Sequence, residues 1–262
     1  MPTLVLSGRY TDESNSLWRA ALAAGWDVAR ILRPMDVEAL TGVSMVVYGE
    51  TILGDRLIDA LGVTLLEPAI DFLPALPAAY RKRDVALSTL GEARRLQTPT
   101  FIKPVDEKFF PARVYPAGAD VDTLIGDNLP VLVAEPVRFG LEVRAFVLDR
   151  KVVALSAYMR DGELAKASDG SWPLTAEEES RARALYDVML ADPAVMLPPA
   201  VVIDVGDVEG RGFVVVEANA AWASGLCGCE PSLVLSVLER ATIGPGMATE
   251  EELRWARKLQ VT

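Results

Sequence analysis

Two apolar runs, AVVIDVG at 200–206 and GFVVVEAN at 212–219, are separated only by DVEGR. Runs rich in valine and isoleucine joined by a short glycine-bearing link read as a hairpin of core strands. This hairpin constrains the chain more than any other stretch, because each strand carries an acid where a core strand is expected to be apolar. Residues i and i+2 of a strand share a face, so Glu217 and Asn219 point to one side and Val216 and Ala218 to the other. If the runs pair antiparallel, Asp204 approaches Glu217 on the next strand, which brings three oxygen-bearing side chains together. An ionised carboxylate buried alone is costly, so a positive partner is required. A hard cation such as Mg²⁺ suits carboxylate and amide oxygens. The alternative is a capped strand end, with Asn219 turning the chain and Glu217 paired to a nearby arginine.

Composition narrows the chemistry. The chain has 262 residues, 51% of them hydrophobic, enough for one large domain or two smaller ones with a sizeable core. A net charge of −11 argues against nucleic acid or an anionic membrane surface as a broad partner. No apolar run is long enough for a membrane span and no secretory leader opens the sequence, so the expectation is a cytoplasmic protein. Histidine is absent. That removes Ser-His and Cys-His nucleophiles, the imidazole acid or base, and histidine-ligated metals, and leaves Lys, Arg, carboxylates and metal to carry any catalysis. The two cysteines, Cys227 and Cys229, lie too close in sequence to staple a domain and read as reduced residues of a Gly-rich turn.

The first part alternates strand and helix signals: TLVLS (3–7), an amphipathic run from Asn15 to Ala24, WDVARIL, SMVVYG (44–49), a helix near Leu53 to Leu61, and VTLLEP. A small parallel sheet with covering helices is expected, its loop SGRYTDESN a plain connection with too few glycines for a dinucleotide fingerprint. A proline-rich joint at 67–80 reads as a linker or crossing segment. RKRDVALSTLGEARRL follows, a basic triplet expected to open a helix. After Gln97 the pattern turns strand-rich (TPTFIKPV, ARVYPA, LPVLVAEPV, VRAFVLDRKVVALSAYM), with a tight hairpin turn expected at Asp149-Arg150. Thr175 with Glu178 and Thr249 with Glu252 are capping boxes of two helices, and SLVLSVLERA reads as a third.

Lys103 interrupts the apolar strand FIKP, an expensive placement unless its ammonium meets an anion such as a nucleotide phosphate. Arg144 shares a strand face with Glu142 and offers a planar fork for phosphate or carboxylate; a simple cross-strand ion pair is the alternative. Trp222, beside Ala223-Ser224-Gly225, either shapes an acceptor pocket or packs in the core, and Phe109 and Phe110 read as packing residues.

The ordered set of these motifs resembles the ATP-grasp superfamily over roughly residues 78–240. The pattern comprises a lysine near a helix opening, here Lys82 within Arg81-Lys82-Arg83; a lysine before proline on a strand, Lys103; a hinge, Glu135, Pro136 and Val137; then Glu142 and Arg144; and last Asp204 with E-x-N, Glu217 and Asn219. EPVRFGLEVRAFVL and VVEANAAWASGLCGC look like the compact stand-alone domains of that superfamily. The resemblance implies an α+β fold with antiparallel sheets flanking a nucleotide cleft, at residues 78–262 (78–137 covering the nucleotide, 138–262 holding the metal). Residues 1–77 would form a small pre-ATP-grasp α/β domain.

The resemblance further implies ATP and Mg²⁺ as cofactors. Lys82 and Lys103 would meet phosphates and the adenine edge, Glu135, Pro136 and Val137 adenine, Glu142 the ribose, Arg144 phosphate or an acyl intermediate, and Asp204, Glu217 and Asn219 the metal. The implied activity is an ATP-dependent carboxylate-amine ligase that works through an acyl-phosphate on small-molecule or peptide substrates. A small-molecule kinase and a non-catalytic ATP sensor are the alternatives, and the oligomeric state is open, a homodimer included. One departure stands out: VDEKFFPARVY follows Lys103 where a Gly-rich phosphate loop is usual, with Lys108 or Arg113 as substitute charges and Asp106 and Glu107 expected in solvent.

Overall fold

The computed structural model describes residues 1–105 and 109–259. The chain opens with β1 (Thr3–Ser7), α1 (Asp12–Ala23), β2 (Asp27–Ile31), β3 (Met45–Tyr48) and α2 (Thr51–Leu61). The three strands form a parallel sheet in the order β2-β1-β3, so the alternating signals translate directly into a small α/β unit. Helix α1 starts at Thr11, whose hydroxyl accepts from the Ser14 amide in a capping box. VTLLEP does not join this sheet. Only β4 (Thr64–Leu65) forms, because β3 is already flanked on its other side by packing from the carboxyl-terminal segments, which supply β4 with an antiparallel partner instead.

The proline-rich joint is a packed crossing segment rather than a bare linker. It carries two single turns, α3 (Phe72–Ala75) and α4 (Ala78–Arg81), and buries Phe72, Leu73, Leu76 and Tyr80. The expected helix at the basic triplet is a correction: Lys82 caps α4 in the left-handed region (φ 43°), and β5 (Val85–Thr89) follows, with α5 (Leu90–Ala93) only one turn long. The cause is tertiary. Val85–Thr89 pairs residue for residue with Pro130–Ala134, and that ladder outweighs local propensity.

With β6 (Thr100–Pro104), β7 (Arg113–Tyr115) and β8 (Pro130–Ala134), strand β5 builds an antiparallel sheet in the order β5-β8-β6-β7. A second antiparallel sheet holds β9 (Phe139–Leu148), β10 (Lys151–Arg160), β11 (Glu163–Leu164), β12 (Ala200–Val208) and β13 (Gly212–Asn219), in the order β11-β10-β9-β12-β13. Asp149 and Arg150 make the β9–β10 turn with φ of 44° and 62°, the two left-handed residues that a tight hairpin requires.

The larger sheet is covered on both faces. Val143, Ala145, Val201, Ile203 and Val205 pack with Ala182, Tyr186 and Met189 of α6 (Ala176–Ala191), which begins at the Thr175 capping box. Phe146, Ala200 and Val202 on the opposite face pack with α7 (Pro231–Ala241) and the first sheet. β14 (Thr242–Ile243), the partner of β4, and the one-turn α8 (Glu250–Leu253) complete the fold. Trp222 is core: it is wholly buried, abuts Gly54 of α2, and donates its indole N–H to the Leu66 carbonyl at 3.0 Å. Phe110 is buried as expected, whereas Phe109 is exposed. No helix among the described residues is long and apolar enough to cross a membrane.

Candidate active site

The site is a row of side chains laid across the larger sheet. Ser156 of β10 sits opposite Arg144 of β9, Arg144 opposite Asp204 of β12, and Asp204 opposite Glu217 of β13. Residues that face each other across strands share a face, so the row follows from register alone. A bulge directly beside Glu217 makes it possible: Asp204 pairs with Glu217, yet Val205 already pairs with Val215, leaving Val216 as the extra residue.

Arg144 holds Asp204 with both arms of its guanidinium, Nε to Oδ1 at 2.9 Å and Nη2 to Oδ2 at 2.7 Å. Asp204 is completely buried and Arg144 nearly so. Burial disfavours the Arg144 charge, but Asp204 beside it outweighs that and pushes its pKa up. The third donor position reaches the Gly225 carbonyl at 3.1 Å, and the Tyr158 ring covers the guanidinium at 4.1 Å. Arg144 is therefore paired to Asp204 and not to Glu142.

Glu217 faces across to the smaller sheet. Lys103 of β6 places its ammonium 2.6 Å from Glu217 Oε2, and Asn219 donates its amide to Oε1 at 2.9 Å. Burial works to raise the Glu217 pKa, but Lys103 and Asn219 overcome it and hold the carboxyl at about 2. Lys103 and Glu217 are 114 residues apart. Their contact joins the two antiparallel sheets at a cleft, and the strand-borne lysine has the anionic partner its placement requires. Glu142 lies on the Arg144 face of β9, half-buried, its pKa raised to about 7 by burial and then by Asp204 and Glu217.

Two antiparallel sheets meeting at such a cleft are the architecture of a known family, and the sequence matches it directly. The chain belongs to the ATP-grasp family: the model of an ATP-grasp domain, the second family of its clade, matches residues 80–237. The fold agrees with solved ATP-grasp structures. The RimK domain protein ATP-grasp from Sphaerobacter thermophilus DSM 20745 aligns at TM-score 0.51 and 16% identity over 91% of this chain and 99% of that one. D-alanine–D-alanine ligase from Bacillus anthracis aligns at TM-score 0.50 and 13% identity over 92% and 97%. D-cycloserine synthetase DcsG aligns at 0.52 and 14% over 90% and 98%. No curated protein matches the chain.

Within this ATP-grasp fold the hinge lies where expected: residues 135–138 have no regular structure and link β8 of the smaller sheet to β9 of the larger. Glu135 donates its amide to the Asp84 carbonyl and pairs its carboxylate with Arg211, while Pro136 is exposed and Val137 partly so. Lys82 does not face the cleft. It is exposed and donates to the Arg211 carbonyl at 2.8 Å. The inward cation of the triplet is Arg83, nearly buried, which donates to the Val215 and Val216 carbonyls at 2.7 and 3.2 Å, at the bulge itself. Strand alternation gives the signal for it, since inward Val85 implies inward Arg83. Arg113 lies over the Tyr115 ring of its own strand at 4.6 Å. Asp106, Glu107 and Lys108 lie outside the described residues.

Carboxylate and carboxamide oxygens are the donors that a hard cation such as Mg²⁺ selects, and the ammonium on Glu217 marks a position where positive charge is stabilised. Glu217 and Asn219 fit such an ion once Lys103 turns to an anionic ligand. Asp204 has both oxygens in the Arg144 fork, and no group of three or more Asp, Glu, Cys or His poised for a metal occurs among the described residues.

Proposed function

We propose that this ATP-grasp protein is an ATP-dependent carboxylate-amine ligase that forms an acyl-phosphate and releases ADP and phosphate. The observation that carries the reading is the Lys103–Glu217 contact across the cleft, with the Arg144–Asp204 pair beside it on the same sheet face. It assembles a site of fixed cations and oxygen donors without histidine, and phosphoryl transfer depends on positioning and charge stabilisation more than on a side-chain acid or base.

In this scheme a substrate carboxylate attacks the γ-phosphate of ATP, and Lys103, drawn off Glu217 by the phosphates, compensates their charge. The hinge backbone around Glu135–Val137 borders the adenine. Arg144, already oriented by Asp204, meets the acyl-phosphate with its Gly225-facing arm, and an amine displaces phosphate. Glu217 and Asn219, with Asp204 behind them on β12, would hold Mg²⁺, which supplies charge neutralisation at the phosphates when bound. The neighbours that carry ligase names, D-alanine–D-alanine ligase and D-cycloserine synthetase, are consistent with this class of chemistry.

The test is product identity. With ATP, Mg²⁺ and a panel of carboxylates, hydroxylamine in place of the amine is expected to give a hydroxamate with one ADP and one phosphate per bond. Release of AMP and pyrophosphate rejects the scheme.

A further inference from the structure

Glu13 lies outside every motif discussed above. It is in the first turn of α1, at the carboxyl edge of the parallel sheet, and is half-buried. Its Oε1 accepts the Cys227 amide at 2.9 Å and its Oε2 the Tyr48 hydroxyl at 3.4 Å. No cationic side chain pairs with it among the described residues. Burial, and then Glu13 itself, push the Tyr48 hydroxyl well above the ordinary tyrosine range, which keeps it a donor.

The turn it grips is unusual on three counts. Cys227 has φ 47° and Gly228 φ 87°, left-handed conformations that persist in a non-glycine residue only when the surroundings impose them. Gly225 leaves no slack, because a Cβ there would lie 3.2 Å from Glu13 Oε2 and 3.4 Å from the Cys227 sulfur. The same turn also reaches the reactive face, since Gly225 accepts from Arg144 Nη1 at 3.1 Å.

We propose that Glu13 is a positioning residue: by fixing the Gly225–Cys227 turn it fixes the carbonyl that orients Arg144, and so ties the first α/β unit to the catalytic sheet. The chain of contacts runs Tyr48–Glu13–Cys227 amide, then Gly225 carbonyl–Arg144–Asp204, with each link a hydrogen bond. Its catalytic consequence rests on the ligase reading; its structural core does not.

The proposal requires hydrogen-bond acceptance by residue 13, not negative charge. Glu13→Gln keeps an acceptor for the Cys227 amide, whereas Glu13→Ala removes it. Two readouts separate the levels. The first is alkylation of Cys227 by iodoacetamide, located by fragment mass spectrometry in the unliganded protein. Here the alanine variant is expected to react about tenfold faster than wild type and the glutamine variant within about threefold of it, with melting temperatures measured to exclude global unfolding. The second is ATP turnover in the hydroxamate assay, where Glu13→Ala is expected to lower kcat about tenfold with KM for ATP unchanged, and Glu13→Gln to rescue it. Equal Cys227 reactivity in wild type and Glu13→Ala overturns the proposal. So does a glutamine variant as impaired in turnover as alanine, the result expected if the charge binds a ligand directly. If wild type shows no turnover, the ligase reading fails while the alkylation arm still decides the role of Glu13.

Discussion

Arg144 and Asp204 stand directly opposite each other on β9 and β12 and make a two-pronged ion pair in which Asp204 is 0% exposed. The pair is the fixed centre of the site: Ser156 and Glu217 extend its row to either side, and Gly225 and Tyr158 close over the guanidinium. Removing one member strands a buried charge. Arg144→Met or Asp204→Leu alone is therefore expected to cost about 3 to 5 kcal/mol in urea unfolding. The double variant should recover most of that loss, since two apolar groups leave no uncompensated charge, yet remain inactive. Additive losses in the double variant would contradict the coupling.

Lys82 and Arg83 are neighbours with opposite fates, the first exposed at an αL cap and the second nearly buried at the β13 bulge. Lys82→Ala is expected to change stability by no more than about 0.5 kcal/mol. Arg83→Met should cost about 1 to 3 kcal/mol, because it leaves the Val215 and Val216 carbonyls without their donor. It should also relax the bulge that aims Glu217, seen as a loss of amide exchange protection at Val216 and Glu217. Equal effects from the two substitutions would refute the assignment of Arg83 as the inward cation.

The same pair of residues shows what was legible in the sequence. Periodicity read the strands of both antiparallel sheets, the Asp149-Arg150 turn and three capped helices, because period-2 patterns and caps are local. Apposition of Asp204 with Glu217, and the shared side of Glu217 and Asn219, followed from strand geometry. The β5 ladder was not legible, because Val85–Thr89 becomes a strand only through pairing with Pro130–Ala134. Nor was the Arg144–Asp204 fork, which depends on β9 lying beside β12, a neighbour relation fixed by topology between segments about 60 residues apart. Glu13 was hidden for a similar reason: its partner at Cys227 is 214 positions away.

Acid stability should carry the signature of Glu178, the capping-box acid at the start of α6. Its hydrogen bond from Arg160, supported by Thr175, holds its pKa at about 2 against a usual 4.5. A carboxyl depressed in the folded state stabilises the fold above the unfolded pKa, and that contribution fades as pH falls from about 4.5 toward 2. Glu178→Gln is therefore expected to lower the melting temperature at pH 7 but to lose less than wild type between pH 5 and pH 2.5. Parallel melting curves against pH for the two proteins would show that the pair contributes nothing.

Lys103 and Glu217 are partly solvated, with side chains 22% and 29% exposed, so their bond is worth little to the fold and much to the cleft. Screening limits the stability lost in Lys103→Met to about 1 kcal/mol. Nucleotide affinity is the sensitive quantity, since the ammonium is the cation that β6 delivers to the phosphates. Titration calorimetry should show Mg-ATP binding weakened about tenfold or more, equivalent to about 1.4 kcal/mol, with the melting temperature of the free protein nearly unchanged. Lys103→Arg should restore part of the affinity by keeping the charge on a longer, planar head. A large drop in melting temperature with unaltered binding would instead make the Lys103–Glu217 bond a brace between the sheets, and would remove the observation on which the ligase reading stands.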